Sequence, residues 1–248
     1  MIDIIAFDAD DTLWDNESHY TRGKERLKQI LSEYGSPEMI EQKLDETEMS
    51  NIEVYGYGIK SFVFSMIETA IVLSGGQIKG EAVQKIVNIA RGMLSADMEF
   101  YERVSETLEE LSKAHRLMLI TKGDRFEQGQ KIARSGVDQY FEIVEIVGDK
   151  SEASYRAILA RYGIDPGRFL MVGNSMRSDI LPVLRLGGRA VYIPQANTWF
   201  HENITGEPVD AGDFHELEHI WQLPELLREL ESDPADPKRY PQESGDKR

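Results

Sequence analysis

The 248-residue sequence contains no cysteine. Disulfides and thiolate-bound metals are thereby excluded, which suits a reducing compartment. Positive charge is scarce: 28 Lys and Arg stand against 44 Asp and Glu, a formal net charge of −16. Nucleic acid and anionic membrane surfaces both require a basic footprint, so neither is an expected partner. A small anion met by a locally positive site stays open. Long apolar runs are also missing. The most apolar stretch, SFVFSMIETAIVLSGG, is interrupted by Glu68 and is too short to cross a bilayer. The opening MIDIIAF carries no basic leader and does not read as a signal peptide. A cytoplasmic protein is the expectation, and 41% hydrophobic with 29% charged residues is ordinary for a globular chain.

Within that frame, residues 2–7 form a short apolar run that fits a strand buried on both faces and stops at Asp8. Residues 17–94 then read as helical. ESHYTRGKERLKQILSEYG ends at Gly35, SFVFSMIETAIVLS reads as a central helix closed by Gly75 and Gly76, and EAVQKIVNIARGML sets Val83, Ile86, Val87 and Ala90 at helical spacing. After Phe100 the pattern alternates. Helical segments lead in turn to RLMLIT, EIVEIVG, FLMVGN and RAVYIP, and one of those helices places Tyr155, Ile158, Leu159 and Tyr162 on one face. Such repetition implies an α/β fold, a parallel sheet covered by helices on both sides. The first strand needs sheet partners and is predicted to join this later sheet. Residues 1–15 and 96–230 are then one core, 16–95 an inserted helical domain, and 231–248 a polar, proline-rich, mobile tail.

In an open parallel sheet, ligands collect beyond the carboxyl ends of the strands. Those ends carry Asp8 with Asp10, then Thr121 followed by KGD, then GDK ending at Lys150, then GNSMRSD reaching Asp179. Carboxylates, a hydroxyl and an ammonium on one edge are the inventory for metal-assisted transfer of a charged group. Asp8 is the candidate nucleophile and Asp10 the candidate general acid and base. Asp11 reads as a solvated turn residue, and Thr12 as a brace for the loop. Thr121 and the N–H groups of Lys122 and Gly123 are candidates to hold phosphate oxygens, Lys150 to neutralise charge, and Asp179 to ligate a hard cation such as Mg²⁺. Each has a structural alternative: Asp8, Thr121 and Asp179 as caps, Lys150 as a surface lysine.

With these residues in order, the chain resembles the haloacid dehalogenase-like hydrolase superfamily. DADDT matches an Asp-x-Asp-x-Thr motif at Asp8, Asp10 and Thr12, LMLIT a second motif ending at Thr121, Lys150 a third, and VGNSMRSDI a fourth. The resemblance implies a Rossmann-like core, a helical cap, Mg²⁺ held by Asp8, Asp10, Asp179 and Asn174, and a phosphoaspartate on Asp8. The fourth motif reads Gly-Asn where many relatives have Gly-Asp, so Asn174 offers an uncharged oxygen. Asp10 favours a phosphatase acting on a small phosphorylated metabolite over a dehalogenase, because a halide leaving group needs no acid. Phosphonate cleavage, sugar-phosphate mutase activity and a catalytically weakened regulatory binding protein are the alternatives. Substrate selection is expected from the cap: Trp14, Tyr20, the loop NIEVYGYGIKSF as an adaptable segment, and Lys60 meeting a second anionic group. His19 reads as a surface residue, and IPQANTWFHEN is a further segment that could reach the site.

Overall fold

The structure is a computed structural model and describes residues 2–196 and 214–232. Most of IPQANTWFHEN and all but the first two residues of the expected tail lie outside the described residues. Strand β1 (Ile4–Phe7) leads through the short β2 (Trp14–Asp15) into four helices, α1 (Glu17–Ile30), α2 (Pro37–Tyr55), α3 (Ile59–Leu73) and α4 (Gly80–Ser95). The chain returns through β3 (Glu99–Phe100) to α5 (Val104–Ser112), β4 (Arg116–Lys122), α6 (Arg125–Ser135), β5 (Ile143–Val147), α7 (Glu152–Tyr162) and β6 (Phe169–Gly173). A single π turn at Met176–Ile180 then opens α8 (Leu181–Arg185), followed by β7 (Arg189–Tyr192), β8 (His215–Glu216) and α9 (Leu223–Ser232).

The main sheet has the order β5-β4-β1-β6-β7-β8, with every neighbouring pair parallel. β1 is central, between β4 and β6, as its apolar run requires. Successive side chains of a strand point to opposite faces. Ile5 and Phe7 therefore join Leu119, Leu170 and Val172 in one layer, while Ile4 and Ala6 join Met118, Ile120 and Met171 in the other. All four β1 side chains are fully buried. Each large one contributes about 1.5–3 kcal/mol through removal from water, so a charge placed at Ile5 would undo the centre of the sheet. This is a Rossmann-like sheet with helices on both faces.

Helices α1 to α4 build a separate apolar cluster around Leu27, Leu44, Phe62, Met66 and Ile86. α3 carries buried residues on most of its surface, from Phe62 through Met66 to Ala70, because it packs between α2 and α4. Two features differ from the sequence expectations. The helix α2, capped by Ser36 accepting from Met39 N–H at 3.3 Å with Pro37 in its first turn, takes in the first half of the segment expected as an adaptable loop. Only residues 56–58 of that segment connect helices. The strands β2 and β3 pair antiparallel, Trp14 against Phe100, where the chain leaves the core and where it returns. Two-residue strands carry too little periodicity to register in a sequence.

Candidate active site

At the carboxyl edge of the sheet, β1 delivers Asp8, whose N–H donates to Val172 O at 2.9 Å and so fixes the residue to the neighbouring strand end. Its carboxylate accepts from Thr12 Oγ1 at 3.0 Å and from Lys150 Nζ. Lys150 also donates to Asp179 Oδ1 at 2.7 Å, and Asp179 Oδ2 accepts from Ser175 N–H at 3.0 Å. Lys150 and Asp179 are buried, so a lone charge here would be costly, but the ammonium sits between two carboxylates. Burial works against the Lys150 charge, yet Asp179 and Asp8 outweigh it and the pKa is raised. Burial also pushes the Asp179 carboxyl up, and the Asp8 charge adds to this against the pull of Lys150.

Gly173 makes the close approach possible. A Cβ there would lie 2.3 Å from Asp179 Oδ2, so any larger residue at the end of β6 would push that carboxylate away. Asn174 follows, buried, with its N–H donating to Thr12 Oγ1 at 3.1 Å and its Oδ1 3.2 Å from the same hydroxyl. The sequence-predicted Asp8, Thr12, Lys150, Asn174 and Asp179 are thus brought together.

Asp10 lies on the same loop, but its carboxylate turns toward α6. It accepts from Gln128 Nε2 at 2.7 Å, Lys131 Nζ at 2.9 Å and Trp14 Nε1 at 2.7 Å. Burial alone would raise its pKa, but Lys131 and these hydrogen bonds prevail and lower it. Asp11, expected as a solvated turn residue, instead accepts from the N–H groups of Asn16 and Glu17 at 2.9 Å each and caps the start of α1. Burial pushes its carboxyl up to about 7. The third carboxylate of DADDT is therefore accounted for by helix capping.

Thr121, at the end of β4, is buried with an Oγ1 that has no hydrogen-bond partner among the described residues, and it lines the cavity above Asp8. Capping of α6 falls to Asp124, which accepts from Glu127 N–H, and not to Thr121. The Gly123 N–H donates to Val147 O at 3.0 Å, so the phosphate-holding role expected of it is already taken by the sheet. Lys122 Nζ donates to Ser178 Oγ at 3.1 Å and lies 4.2 Å from the Tyr57 ring centre, bridging core and helical block.

The cavity encloses about 140 Å³. Its floor is the sheet edge, and its opposite wall is Glu17, Tyr20 and Lys24 of α1, Glu48 and Ile52 of α2, and Tyr57, Ser61 and Phe62. Tyr20 is there as expected. Two other cap candidates are not. Trp14 is buried in the core cluster, where it holds Asp10, and does not line the cavity. Lys60 also lies outside it: its Nζ pairs with Asp124 at 2.9 Å, half exposed, beside Phe126. α3 begins with a buried contact to the core, since Ile59 N–H donates to Glu127 Oε2 at 2.9 Å. Sequence reasoning missed Gln128, Lys131, Glu17, Lys24 and Glu48. For the first two a signal existed, because the helix after a strand end presents its early residues to the same edge.

A family model described as haloacid dehalogenase-like hydrolase matches residues 2–187. The human N-acylneuraminate-9-phosphatase is 27% identical over 242 residues, covering 92% of this chain and 94% of that protein. A glyceraldehyde 3-phosphate phosphatase of Methanothermobacter thermautotrophicus is 25% identical over 239 residues, covering 92% of this chain and all of that one. The crystal structure of a haloacid dehalogenase-like family hydrolase from Xanthomonas campestris superposes with a TM-score of 0.81 at 36% identity, covering 92% of this chain and 91% of that one. The match of the family model across both the sheet edge and the inserted helices assigns the chain to the haloacid dehalogenase-like hydrolases.

Proposed function

We propose that the chain is a cytoplasmic Mg²⁺-dependent phosphatase that hydrolyses a small phosphomonoester through an aspartyl-phosphate on Asp8, with Asp10 as general acid and base. The carrying observation is the Asp8 carboxylate at the end of the central strand, held by Thr12 and Lys150, with a Thr121 hydroxyl that has no hydrogen-bond partner among the described residues lining the same cavity. Relatives named as phosphatases over nearly their whole length support the same reaction class. No helix among the described residues is long and apolar enough to cross a membrane.

The donor set suits a hard cation. The Asp8 and Asp179 carboxylates and the Asn174 amide oxygen would hold it, while the Asp10 carboxylate, the fourth expected ligand, is committed to Gln128, Lys131 and Trp14. Among the described residues no three carboxylates or imidazoles form a cage, which Mg²⁺ does not need, since it retains waters and takes phosphate oxygens. When bound, Mg²⁺ would offset the repulsion between the carboxylates and the phosphate. In the first half-reaction an Asp8 oxygen bonds to phosphorus, the bond to the leaving oxygen breaks, and Asp10, once turned from Gln128 and Lys131 and protonated, gives that oxygen its proton. In the second, Asp10 takes a proton from water as the water oxygen bonds to phosphorus and the bond to Asp8 breaks. Lys150 stabilises the charge shared between Asp8 and the phosphoryl group, and Thr121 donates to a phosphoryl oxygen. In this reading residues 16–95 are the cap, which shields the site from bulk water while leaving room for the one water that attacks in the second step.

A halide leaving group has no use for Asp10, and a phosphonatase lysine in the cap is not supplied by Lys60, which faces Asp124. The test is phosphate release from a panel of small phosphomonoesters and p-nitrophenyl phosphate, with Mg²⁺ or with EDTA. Asp8→Asn should lower kcat by at least about 10³-fold, because a nucleophile and not a mere contact is removed. Equal release by native protein and Asp8→Asn would overturn the mechanism.

A further inference from the structure

The cavity has two walls, and the reaction above uses one. On the other, Glu17, Tyr20 and Lys24 follow one another at intervals of three and four residues and so share a face of α1, while Glu48 comes from α2 and Ser61 from α3. Lys24 Nζ donates to Asp45 Oδ1 at 2.9 Å. Burial opposes its charge, but Asp45, Glu48 and Glu17 outweigh this and raise its pKa. Its positive charge is therefore already matched by the carboxyls around it. The other lysines that line the cavity are also engaged, Lys150 by Asp8 and Asp179, Lys122 by Ser178 and the Tyr57 face. No arginine lines the cavity among the described residues.

A second observation points to a ligand. Ser61 is 3% exposed, lines the cavity, and its Oγ has no hydrogen-bond partner among the described residues. Beside it Tyr20 and Phe62 lie with ring centres 5.0 Å apart, an apolar surface for the C–H face of a short carbon chain.

Resting on the phosphatase reading, we propose that Glu17, Lys24, Glu48 and Ser61 form the leaving-group site, which selects a neutral polyhydroxylated phosphomonoester over one carrying a second negative charge. A hydroxyl donates to a carboxylate and accepts from an ammonium or a serine, so a polyol chain satisfies every group on this wall at once. A carboxylate can only accept. It would face Glu17 and Glu48, and Lys24 beside them is already paired with Asp45. Burial holds the Glu48 carboxyl up to about 7 and that of Glu17 to about 8, so this wall disfavours negative charge of any origin, and a substrate carboxylate seated among these groups would bear the same desolvation cost. A neutral chain avoids that cost, and the difference excludes the anionic competitor.

The matched probes are glucitol 6-phosphate and gluconate 6-phosphate, which differ only in a terminal hydroxymethyl or carboxylate. The native enzyme should favour the former by about tenfold or more in kcat/KM. Glu48→Gln should narrow the ratio to less than about threefold by improving the anionic probe, and Lys24→Met should raise KM for glucitol 6-phosphate more than it lowers kcat. Calorimetric binding of both probes to Asp8→Asn with Mg²⁺ reads the same preference without turnover. Equal or reversed preference, or binding of neither probe, overturns the leaving-group site. If p-nitrophenyl phosphate is still hydrolysed with Mg²⁺, the phosphatase reading survives that failure.

Discussion

Two lysines compare the two sides of the cavity. Lys150 stands between carboxylates from the segments after two different strands, its side chain 2% exposed, and every member of that group lies within six residues of a strand end. Lys24 stands among carboxyls on neighbouring helices, 16% exposed, with its partners Asp45 and Glu48 three residues apart on α2. Both are ammonium groups matched by surplus carboxyl. On the floor the match neutralises groups that must meet a phosphate; on the wall it leaves no charge to spare for a second anion. The floor is set by strand ends, whose positions in the chain dictate their positions in space. The wall is set by helix packing, and different side chains at the same helix positions would give different selectivity over the same floor.

Lys150→Met breaks the floor and is the largest effect expected in this comparison. Asp8 and Asp179 would lose the ammonium between them, and a broken buried pair costs about 3–5 kcal/mol. The loss of kcat should be about 10²–10³-fold. Steady-state kinetics and thermal melting check it together. A variant that keeps kcat within about tenfold would mean that the floor does not depend on this charge.

The joint between floor and wall is next. Gly58 has φ +120°, a conformation that L side chains rarely adopt, and a Cβ there would lie 2.9 Å from Glu127 Oε2, the acceptor for the first N–H of α3. Gly58→Ala should cost about 1–3 kcal/mol in strain and displace that contact between the sheet domain's α6 and the helical block. Melting temperature should fall, and KM for phosphomonoesters should rise. An unchanged KM would mean that the wall is seated by its own packing alone.

The same difference between strand ends and helix faces explains what could be read from the chain. The sheet, β1 at its centre and the cluster of Asp8, Thr12, Lys150, Asn174 and Asp179 were legible, because an apolar run of strand length followed by a polar residue marks both an element and its end. Glu17, Lys24 and Glu48 were not, since charged residues on amphipathic helices read as a solvated face until the partner helices are in place. Lys60 was misread for the same reason. Its sequence neighbours reach the cavity, but its place on the first turn of α3 turns it to Asp124. Gly123 was misread because its N–H was counted as free before the pairing of β4 with β5 was known.

A smaller effect follows from titration of the wall. Glu17 and Glu48 have folded pKa values raised to about 8 and about 7, chiefly by burial. The folded state therefore holds protons that the unfolded chain has already lost. Stability from these groups is full below the ordinary glutamate pKa and is lost as pH rises through 7 to 8. Asp11, raised to about 7, acts in the same direction. The melting temperature should fall by several degrees between about pH 6 and about pH 9, at about 2–4 °C per kcal/mol for a chain of this size. Glu17→Gln with Glu48→Gln should flatten part of that slope. A slope unchanged in the double variant would remove the wall as its source.

The smallest effect expected is at Lys60, and it sharpens the comparison most directly because this lysine belongs to neither side. Its pair with Asp124 is half exposed on one partner and about a third exposed on the other, and such pairs contribute about 0–1 kcal/mol. Lys60→Ala should leave melting nearly unchanged, because Asp124 keeps its capping bond to Glu127 N–H without it. Kinetics on glucitol 6-phosphate and gluconate 6-phosphate should shift together by less than about twofold, since the ammonium lies outside the cavity. A selective loss on gluconate 6-phosphate would instead bring Lys60 to the substrate in the working enzyme. The wall would then possess the spare positive charge that its resting arrangement lacks, and selection against a second anion would no longer follow from it.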